Sequence, residues 1–255
     1  MKQTNWKQRA LAGLLALVLC FAFAPLSSFA AEEYDTQGAT VFLFSDGGIS
    51  VNKGNYEGYQ ISGTALTISE GGTYVLSGSC ADGSVTVKKG TKGVTLVLEG
   101  ISLTSADTAP LCFNKSTEVT VVVASGTQNT LSDSEKNNDD TYPENERAEN
   151  AVLKCKDGSA VTLCGGGALS LSANGKNGIK SGASTEEEGE ASLTIRQLTL
   201  NITAQVNDAI NAEQLLQIES GTLNITAADD AIHCDRVMQI GAKEMAGPTI
   251  NITQC

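Results

Sequence analysis

A short repeat in the second half of the chain restricts the fold more than any other feature. Residues 193–204 (LTI…LNITA) and 216–227 (LQI…LNITA) match position by position at an offset of 23 residues. Asp-Ala-Ile follows each copy, and a related copy at 169–173 precedes Asn-Gly-Ile at 177–179. A later copy begins at residue 250, and looser copies begin at residues 109 and 151. A period in the range of about 20–30 residues indicates a solenoid, in which neighbouring repeats bury one another's apolar faces.

Within each repeat, apolar residues alternate with Thr, Asn, Ser and Gly, which is the periodicity of a β-strand. We therefore predict two or three short strands per repeat, stacked at ~4.8 Å as a parallel β-helix. The region before residue 100 adds five predicted strands, at 41–44, 65–68, 73–76, 84–87 and 94–98, separated by glycine-containing turns. The whole chain is thus predicted to be all-β.

The first 30 residues are typical of a secretory signal peptide. Lys2, Lys7 and Arg9 precede an apolar run at 11–24 that is short for a bilayer span, and a small-x-small cleavage signal ends at Ala30. We predict a secreted, extracellular or cell-surface protein with a signal peptide at 1–30, an N-terminal β region at 31–105 and β-helix coils at 106–255. Because the last copy stops at residue 255, we expect these coils to be truncated.

Without the signal peptide, 14 basic and 29 acidic side chains leave a formal charge of −15. This charge excludes a protein that binds nucleic acid by neutralising phosphates, and no later segment is predicted to span a membrane. Two segments that interrupt the repeat, 133–150 (the long acidic loop) and 181–190 (the short acidic loop), carry many of the acids. They are predicted to be solvated loops, with cation binding as the alternative.

Six cysteines follow the signal peptide, with no Cys-x-x-Cys pair, and the chain has one histidine, so the usual zinc sites are excluded. The repeat alignment places Cys155 and Cys234 in a column of small residues with Phe113, Ser181 and Ala212. We predict that these two thiols are buried in that column, and a disulfide remains the alternative.

Asparagine and aspartate occupy the corner before each inward isoleucine. If the repeats stack, Asp208 and Asp230 lie one above the other, where unpaired carboxylates would repel by ~3–4 kcal/mol near a protein surface. Stacked oxygen ligands suit calcium, and an ordinary corner whose Asn and Asp adopt left-handed backbone is the alternative. The residues predicted to bind Ca²⁺ are Asn177, Asn207, Asp208, Asp229, Asp230 and Asp235.

Candidates for ligand binding and catalysis occupy one outward column. Lys154, Lys180, Asn211 and His233 each follow an inward residue in successive copies. We predict that Lys180, Asn211 and His233 bind the ligand, together with an aromatic platform formed by Tyr56 and Tyr59. No catalytic residue is predicted; Lys154 and Lys180 are the candidates for a base in a calcium-dependent lyase, which is an alternative function.

Several motifs resemble, in order, those of a secreted bacterial family, the carbohydrate-binding domain-containing proteins: GGTYVLSG at 71–78, VTLVLEGISLTS at 94–105, APL at 109–111 and GTQNTLSD at 126–133. The resemblance implies a right-handed parallel β-helix with calcium sites and distant kinship to family 9 polysaccharide lyases. It also implies binding of plant-type polysaccharides such as cellulose and polygalacturonate. Typical members carry Asp-Gly-Ile at the corners, where this chain has Asn177-Gly178 and then Ala209 and Ala231.

The expected function is that of a secreted, calcium-binding, non-catalytic polysaccharide-binding protein. An acidic polysaccharide bridged through calcium fits the charge of −15, since without cations such a surface repels polyuronate. The alternatives are a calcium-dependent, pectate-type polysaccharide lyase, and a surface adhesin or structural scaffold.

Overall fold

The computed structural model describes residues 34–52, 54–243 and 246–255, so the predicted signal peptide lies outside the described residues. Within these ranges the chain is all-β as predicted, and no helix there is long and apolar enough to span a membrane. The strands in chain order are β1 (Thr40–Ser45), β2 (Gly48–Asn52), β3 (Tyr59–Ser62), β4 (Ala65–Ile68), β5 (Gly72–Cys80), β6 (Ser84–Val87), β7 (Val94–Ser105), β8 (Leu111–Phe113), β9 (Glu118–Val123), β10 (Gln128–Asp133), β11 (Ala151–Cys155), β12 (Ala160–Cys164), β13 (Ala168–Ala173), β14 (Asn177–Ser181), β15 (Ser192–Ile195), β16 (Thr199–Ala204), β17 (Ile210–Ala212), β18 (Leu215–Ile218), β19 (Thr222–Ala227), β20 (Ile232–Cys234), β21 (Val237–Ile240) and β22 (Thr249–Gln254).

Most strands belong to three rows of parallel strands, which we call the first, second and third row. The first row contains β4, β6, β8, β11, β14, β17 and β20, with β3 antiparallel to β4 at one end. The second row starts with the amino-terminal halves of β5 and β7 and continues through β9, β12, β15, β18 and β21. The third row starts with their carboxy-terminal halves and continues through β10, β13, β16, β19 and β22. The β1–β2 hairpin pairs along β5.

Consecutive strands visit the first, second and third row in turn and then return to the first row, one position further along. We call each such set of three strands a tier; β11–β13, β14–β16, β17–β19 and β20–β22 are four of them. Leu193 pairs with Leu216, and Asn201 pairs with Asn224, so the predicted alignment of the two best-matched copies is confirmed. Residues about 23 positions apart in the chain thus become neighbours in space.

The five strands predicted before residue 100 are confirmed, and two of them are the beginnings of longer strands. β5 and β7 each run from the second row into the third, and their register shifts between Leu76 and Gly78. Gly78 has a φ of +91°, and a Cβ there would meet the carbonyl oxygen of Phe44 in β1. A residue with a side chain would therefore be strained at this corner and would displace β1.

Columns of Leu, Ile and Val fill the interior, with one residue from each tier. In the third row Leu171, Ile202 and Ile225 are aligned, and each is 1–2% exposed because strand alternation points them inward. The next member of the column, Ile252, is 51% exposed, since β22 pairs only with β19 among the described strands. Each tier therefore stabilises its neighbour by covering that neighbour's apolar residues.

The predicted column of small residues is also present. Cys155 pairs with Phe113 on one side and Ser181 on the other, and the column continues through Ala212 to Cys234. Cys155 is fully buried and Cys234 is half-buried, because the latter lies in the tier β20–β22. No disulfide is present among the described residues, so burial rather than cross-linking accounts for these two thiols.

Buried carboxylates attach both acidic loops to the strands. In the long acidic loop Asp133 is 2% exposed and accepts a hydrogen bond from Asn137 Nδ2 at 2.8 Å. In the short acidic loop Glu188 is 8% exposed and accepts one from Lys89 Nζ at 2.6 Å. The prediction of wholly solvated loops is wrong at these two carboxylates, because hydrogen-bond donors replace the water that each loses on burial.

Candidate functional site

The candidate site lies on the outward side of the first row. Lys154 pairs with Lys180, Lys180 with Asn211 and Asn211 with His233, so the predicted column of these four residues is confirmed. Their strand neighbours Leu153, Ile179 and Ile210 are fully buried, and strand alternation therefore turns the four polar side chains outward.

The corner that precedes this column is an amide ladder. Asn207 Nδ2 donates to Asn177 Oδ1 at 2.8 Å, and Asn177 Nδ2 donates to the carbonyl oxygen of Asn150 at 2.9 Å. Asn177 is 1% exposed, so these hydrogen bonds satisfy an amide that burial has removed from water. The side-chain oxygen of Asn177 is thereby engaged in linking two neighbouring tiers.

Asp208 and Asp230 lie in adjacent tiers, as predicted, but their carboxylates have different surroundings. Asp208 is 5% exposed; its Oδ2 accepts from Asn211 Nδ2 at 2.6 Å, and its Oδ1 accepts from the backbone N–H of Asp230 at 3.1 Å. The side chain of Asp230 is exposed and contacts His233. One donor from the same tier, Asn211, and one from the neighbouring tier, the backbone N–H of Asp230, therefore offset the repulsion expected for two unpaired carboxylates.

His233 bridges two carboxylates. Its Nδ1 lies 3.2 Å from Asp230 Oδ2, and its Nε2 lies 2.8 Å from Asp235 Oδ1. These hydrogen bonds, first with Asp235 and then with Asp230, raise the pKa of His233 above its ordinary value. Because a carboxylate only accepts, both ring nitrogens must donate for both contacts to be hydrogen bonds, which favours the imidazolium.

The predicted calcium ligands are therefore near one another without forming a convergent metal cluster. Asp229 is exposed, and its backbone N–H donates to the carbonyl oxygen of Asn207 at 3.4 Å. Among the described residues, no three His, Cys, Asp or Glu side chains are grouped so that they could hold a metal ion. The oxygen donors have the chemistry that calcium prefers, but those of Asp208, Asp230 and Asp235 have hydrogen-bond partners within the chain.

Beside the Lys154 end of the column lies a groove with a cavity of about 260 Å³. Residues of the long acidic loop form one wall, and Gly182 and charged side chains in or next to the first row form the rest. Lys156 Nζ lies 2.6 Å from Glu149 Oε1, and Lys115 Nζ lies 3.1 Å from Asp157 Oδ2. Both closed ion pairs contact the cavity, whose lining residues are Lys115, Asp139, Ala148, Glu149, Asn150, Lys154, Lys156, Asp157, Gly182 and Glu213.

Lys154 differs from the other lysines of the groove. It is half-buried and makes no hydrogen bond or ion pair within the described part of the chain, whereas its column neighbour Lys180 pairs with Glu213 Oε1 at 3.1 Å. Burial is the main cause that lowers the pKa of Lys154, and the nearby Lys180 ammonium lowers it further. The groove therefore holds one ammonium whose charge is partly desolvated and unpaired.

The sequence did not predict Glu149, Lys156, Asp157 or Glu213 as part of this site. Lys156 and Asp157 follow the outward residue Lys154 by two and three positions, which marks them as near the surface but not as paired. Glu149 lies near the end of an interruption of the repeat, and that interruption was the signal that could have identified it.

The two tyrosines predicted as a sugar platform pack on aromatic core residues. The ring of Tyr59 meets Phe42 edge-on with centroids 5.0 Å apart, and the ring of Tyr56 is tilted against Tyr74 at 5.7 Å. Tyr56 also lies over Gly72, where a Cβ would meet its ring. Both tyrosines are half-buried, and their role in sugar binding stays a prediction.

The fold and site define an all-β protein made of parallel strand rows, with a polar groove on the outside of one row. Within that class, the chain belongs to the carbohydrate-binding domain-containing protein family, which it matches over residues 62–254. The family resemblance expected from the sequence motifs is thereby confirmed.

Two individual proteins are similar to this chain. A carbohydrate-binding domain-containing protein from Acetivibrio thermocellus is 32% identical over 130 residues, which are 51% of this chain and 44% of that relative. The chain thus spans less than half the length of that protein. A polysaccharide lyase-like protein from C. thermocellum, solved as a gadolinium derivative, matches with a TM-score of 0.51 and 20% identity over 84% of this chain and 97% of that chain. This second similarity supports the fold.

Proposed function

We propose that this protein is a secreted, non-catalytic polysaccharide-binding protein whose three strand rows form a right-handed parallel β-helix. The observation that carries the proposal is the outward side of the first row, where a groove offers paired ammonium and carboxylate groups within a few ångströms of each other. Sugar hydroxyls both donate and accept hydrogen bonds, so they suit a surface with both kinds of group. Membership of a carbohydrate-binding family is consistent with this use.

Calcium at the Asn/Asp corner is part of the same proposal. Asn207, Asp208 and Asp230 would supply the oxygen ligands, and the ion would compete with Asn211 and His233 for the two carboxylates. Bound calcium would neutralise negative charge on this face and allow an acidic polysaccharide to approach a chain of charge −15. The gadolinium derivative of the structural neighbour suggests lanthanides as probes, since they too are hard cations that prefer oxygen.

The test of calcium binding uses the chain without its first 30 residues. Terbium luminescence and the change in melting temperature on adding calcium report binding, and Asp208→Asn serves as the site variant. We expect calcium to raise the melting temperature and to displace terbium, and the variant to lose most of both effects. An unchanged melting temperature in calcium and in chelator would refute the calcium site.

The test of polysaccharide binding is a pull-down with insoluble polygalacturonate and with cellulose, each with and without calcium. Calcium-dependent retention on polygalacturonate is expected, because an ion can bridge two carboxylate-bearing surfaces. Failure to bind any member of a panel of plant and microbial glycans would refute the proposed function and favour a structural scaffold or adhesin.

One observation favours a second candidate, a calcium-dependent polysaccharide lyase. The lowered pKa of Lys154 brings this residue closer to the range in which a lysine acts as a general base, and Lys180 is its column neighbour. Incubation with polygalacturonate separates the two functions. Growth of the ultraviolet absorbance of unsaturated products would establish the lyase, whereas retention without products supports binding alone.

A further inference from the structure

The groove beside Lys154 contains an ammonium that lacks an acceptor. Lys154 is within electrostatic reach of Glu149 and Glu213, but each of these carboxylates closes an ion pair with another lysine, Lys156 at 2.6 Å and Lys180 at 3.1 Å. Asp139 is another carboxylate of the lining, and its Oδ1 accepts a hydrogen bond from Asn150 Nδ2 at 2.8 Å. Lys154 therefore projects from a surface whose nearby carboxylates are already occupied.

An ammonium in this situation favours an anionic ligand. Burial has removed part of its water without supplying a hydrogen-bond acceptor, so the charged form is destabilised in the free protein. A carboxylate brought by a ligand would restore that acceptor in a partly desolvated place, where charge-assisted hydrogen bonds are strong. Burial, and then the Lys180 ammonium, lower the pKa of Lys154, and both effects favour a ligand that brings negative charge to this side chain.

The groove limits the ligand to one small anionic unit. Its volume of about 260 Å³ lies below the ~300–1,000 Å³ of pockets for drug-sized ligands, so it suits a monosaccharide unit. The carboxylates of Glu149 and Asp157 would repel a second negative group on the ligand, while their oxygens can accept hydrogen bonds from sugar hydroxyls. A single carboxylate on a polyhydroxylated ring matches this combination.

The wall of the groove is fixed by the interior of the long acidic loop. Asn137 is fully buried; its Nδ2 donates to Asp133 and to the carbonyl oxygen of Ala151, and its Oδ1 accepts from the backbone N–H of Glu149 at 2.6 Å. Glu149 is thereby held where its Oε1 lies 2.6 Å from Lys156 Nζ. The interior of the loop thus fixes the position of the ion pair that lines the groove beside Lys154.

We propose that this groove binds one uronic acid unit of a polysaccharide, with the sugar carboxylate hydrogen-bonded directly to Lys154 Nζ and without a bridging calcium ion. This inference rests on the proposed polysaccharide-binding function and adds a calcium-independent subsite to it. Lys154 lies two tiers from Asp208 and three tiers from Asp230 along the first row, so separate units of one acidic chain would be held in two different ways.

The test measures binding of a galacturonic acid trimer by calorimetry in the presence of EDTA. The chain without its first 30 residues is compared with Lys154→Met, and Lys92→Met serves as the matched control because Lys92 is exposed and is not among the residues that line the groove. A trimer whose carboxyl groups have been reduced to alcohols tests the charge. Loss of a charge-assisted hydrogen bond is expected to weaken binding by about 10- to 100-fold in Lys154→Met and to leave Lys92→Met unchanged.

The reduced trimer is expected to bind about as weakly to the unaltered chain as the acidic trimer binds to Lys154→Met. Equal affinity of the acidic trimer for the unaltered chain and Lys154→Met, or equal affinity of the two trimers for the unaltered chain, would overturn the inference. If calcium-dependent retention on polygalacturonate then persists, the proposed function stands without this subsite; if it is also absent, both fail. Lys154→Met is expected to melt no lower than the unaltered chain, because it removes an unpaired charge, and Lys154→Gln replaces it should it fail to fold.

Discussion

The column formed by Leu171, Ile202, Ile225 and Ile252 provides a sharp test of the stacking on which the site depends. Ile202 and Ile225 are 2% and 1% exposed, whereas Ile252, in the next tier, is 51% exposed. Truncation to alanine removes three carbon groups, worth about 0.8 kcal/mol each when buried. Ile202→Ala should therefore cost about 2.4 kcal/mol in transfer free energy plus a cavity contribution, within the ~2–5 kcal/mol usual for such changes. Ile252→Ala should cost about 1 kcal/mol, because half of the side chain is already in water.

Urea unfolding, followed by far-ultraviolet circular dichroism and by tyrosine fluorescence, measures these differences. Both probes are needed because stacked units sometimes unfold in stages, and agreement between them justifies a single free energy of unfolding. We expect Ile202→Ala and Ile225→Ala to destabilise the chain equally, and both to exceed Ile252→Ala. An Ile252→Ala cost equal to that of Ile202→Ala would refute the assignment of Ile252 to the uncovered end of the column.

Three further predictions follow from ionisable groups. The folded pKa of His233 lies above its ordinary 6.5. Its two hydrogen bonds therefore stabilise the fold fully below pH 6.5 and progressively less as the pH rises through the folded pKa. The melting temperature should fall accordingly across neutral pH, and His233→Gln should abolish this pH dependence. Hydrogen bonds from Lys89 and Ser116 lower the pKa of Glu188 below its ordinary 4.5. The stability that ionised Glu188 contributes is therefore present above pH 4.5 and lost as the pH falls through the folded pKa. Glu188→Gln should make the urea midpoint of unfolding less dependent on pH in the acid range. Cys255 is exposed and should react at once with a thiol reagent. Four thiols are buried and should react only when the chain unfolds: Cys80, Cys112, Cys155 and Cys164.

The strand rows could be predicted from the sequence because local and long-range signals agree. Alternation marks each strand, and the match between 193–204 and 216–227 fixes which strands pair and in which register. A slip by one residue would turn every inward Leu and Ile outward, so this register is strongly specified. The outward column Lys154, Lys180, Asn211 and His233 follows from the same alignment.

The partners of those outward residues could not be predicted in the same way. Glu213 pairs with Lys180 from 33 positions away, and its distance from the column depends on how tightly the chain turns between two rows. Glu149 reaches Lys156 only because Asn137 folds the long acidic loop back on itself, and nothing periodic in the sequence encodes that path. Burial of Asp208 also depends on a donor, the backbone N–H of Asp230, that becomes available only when the next tier is in place.

The electrostatics of the first row predict that the proposed ligand binding would stabilise the fold. Stacking places Lys154 beside Lys180, and two like charges at the ~4.8 Å spacing of adjacent strands would repel by ~3 kcal/mol near a protein surface. Glu213, from the next tier, forms an ion pair with Lys180, whereas the Lys180 ammonium still lowers the pKa of Lys154. The unpaired ammonium of Lys154 lowers the free energy of unfolding, and a carboxylate of the proposed ligand would raise it again. The charged side chains of one tier therefore affect those of its neighbour. A charged ligand gains most by binding where a buried charge has no partner of opposite sign in the chain.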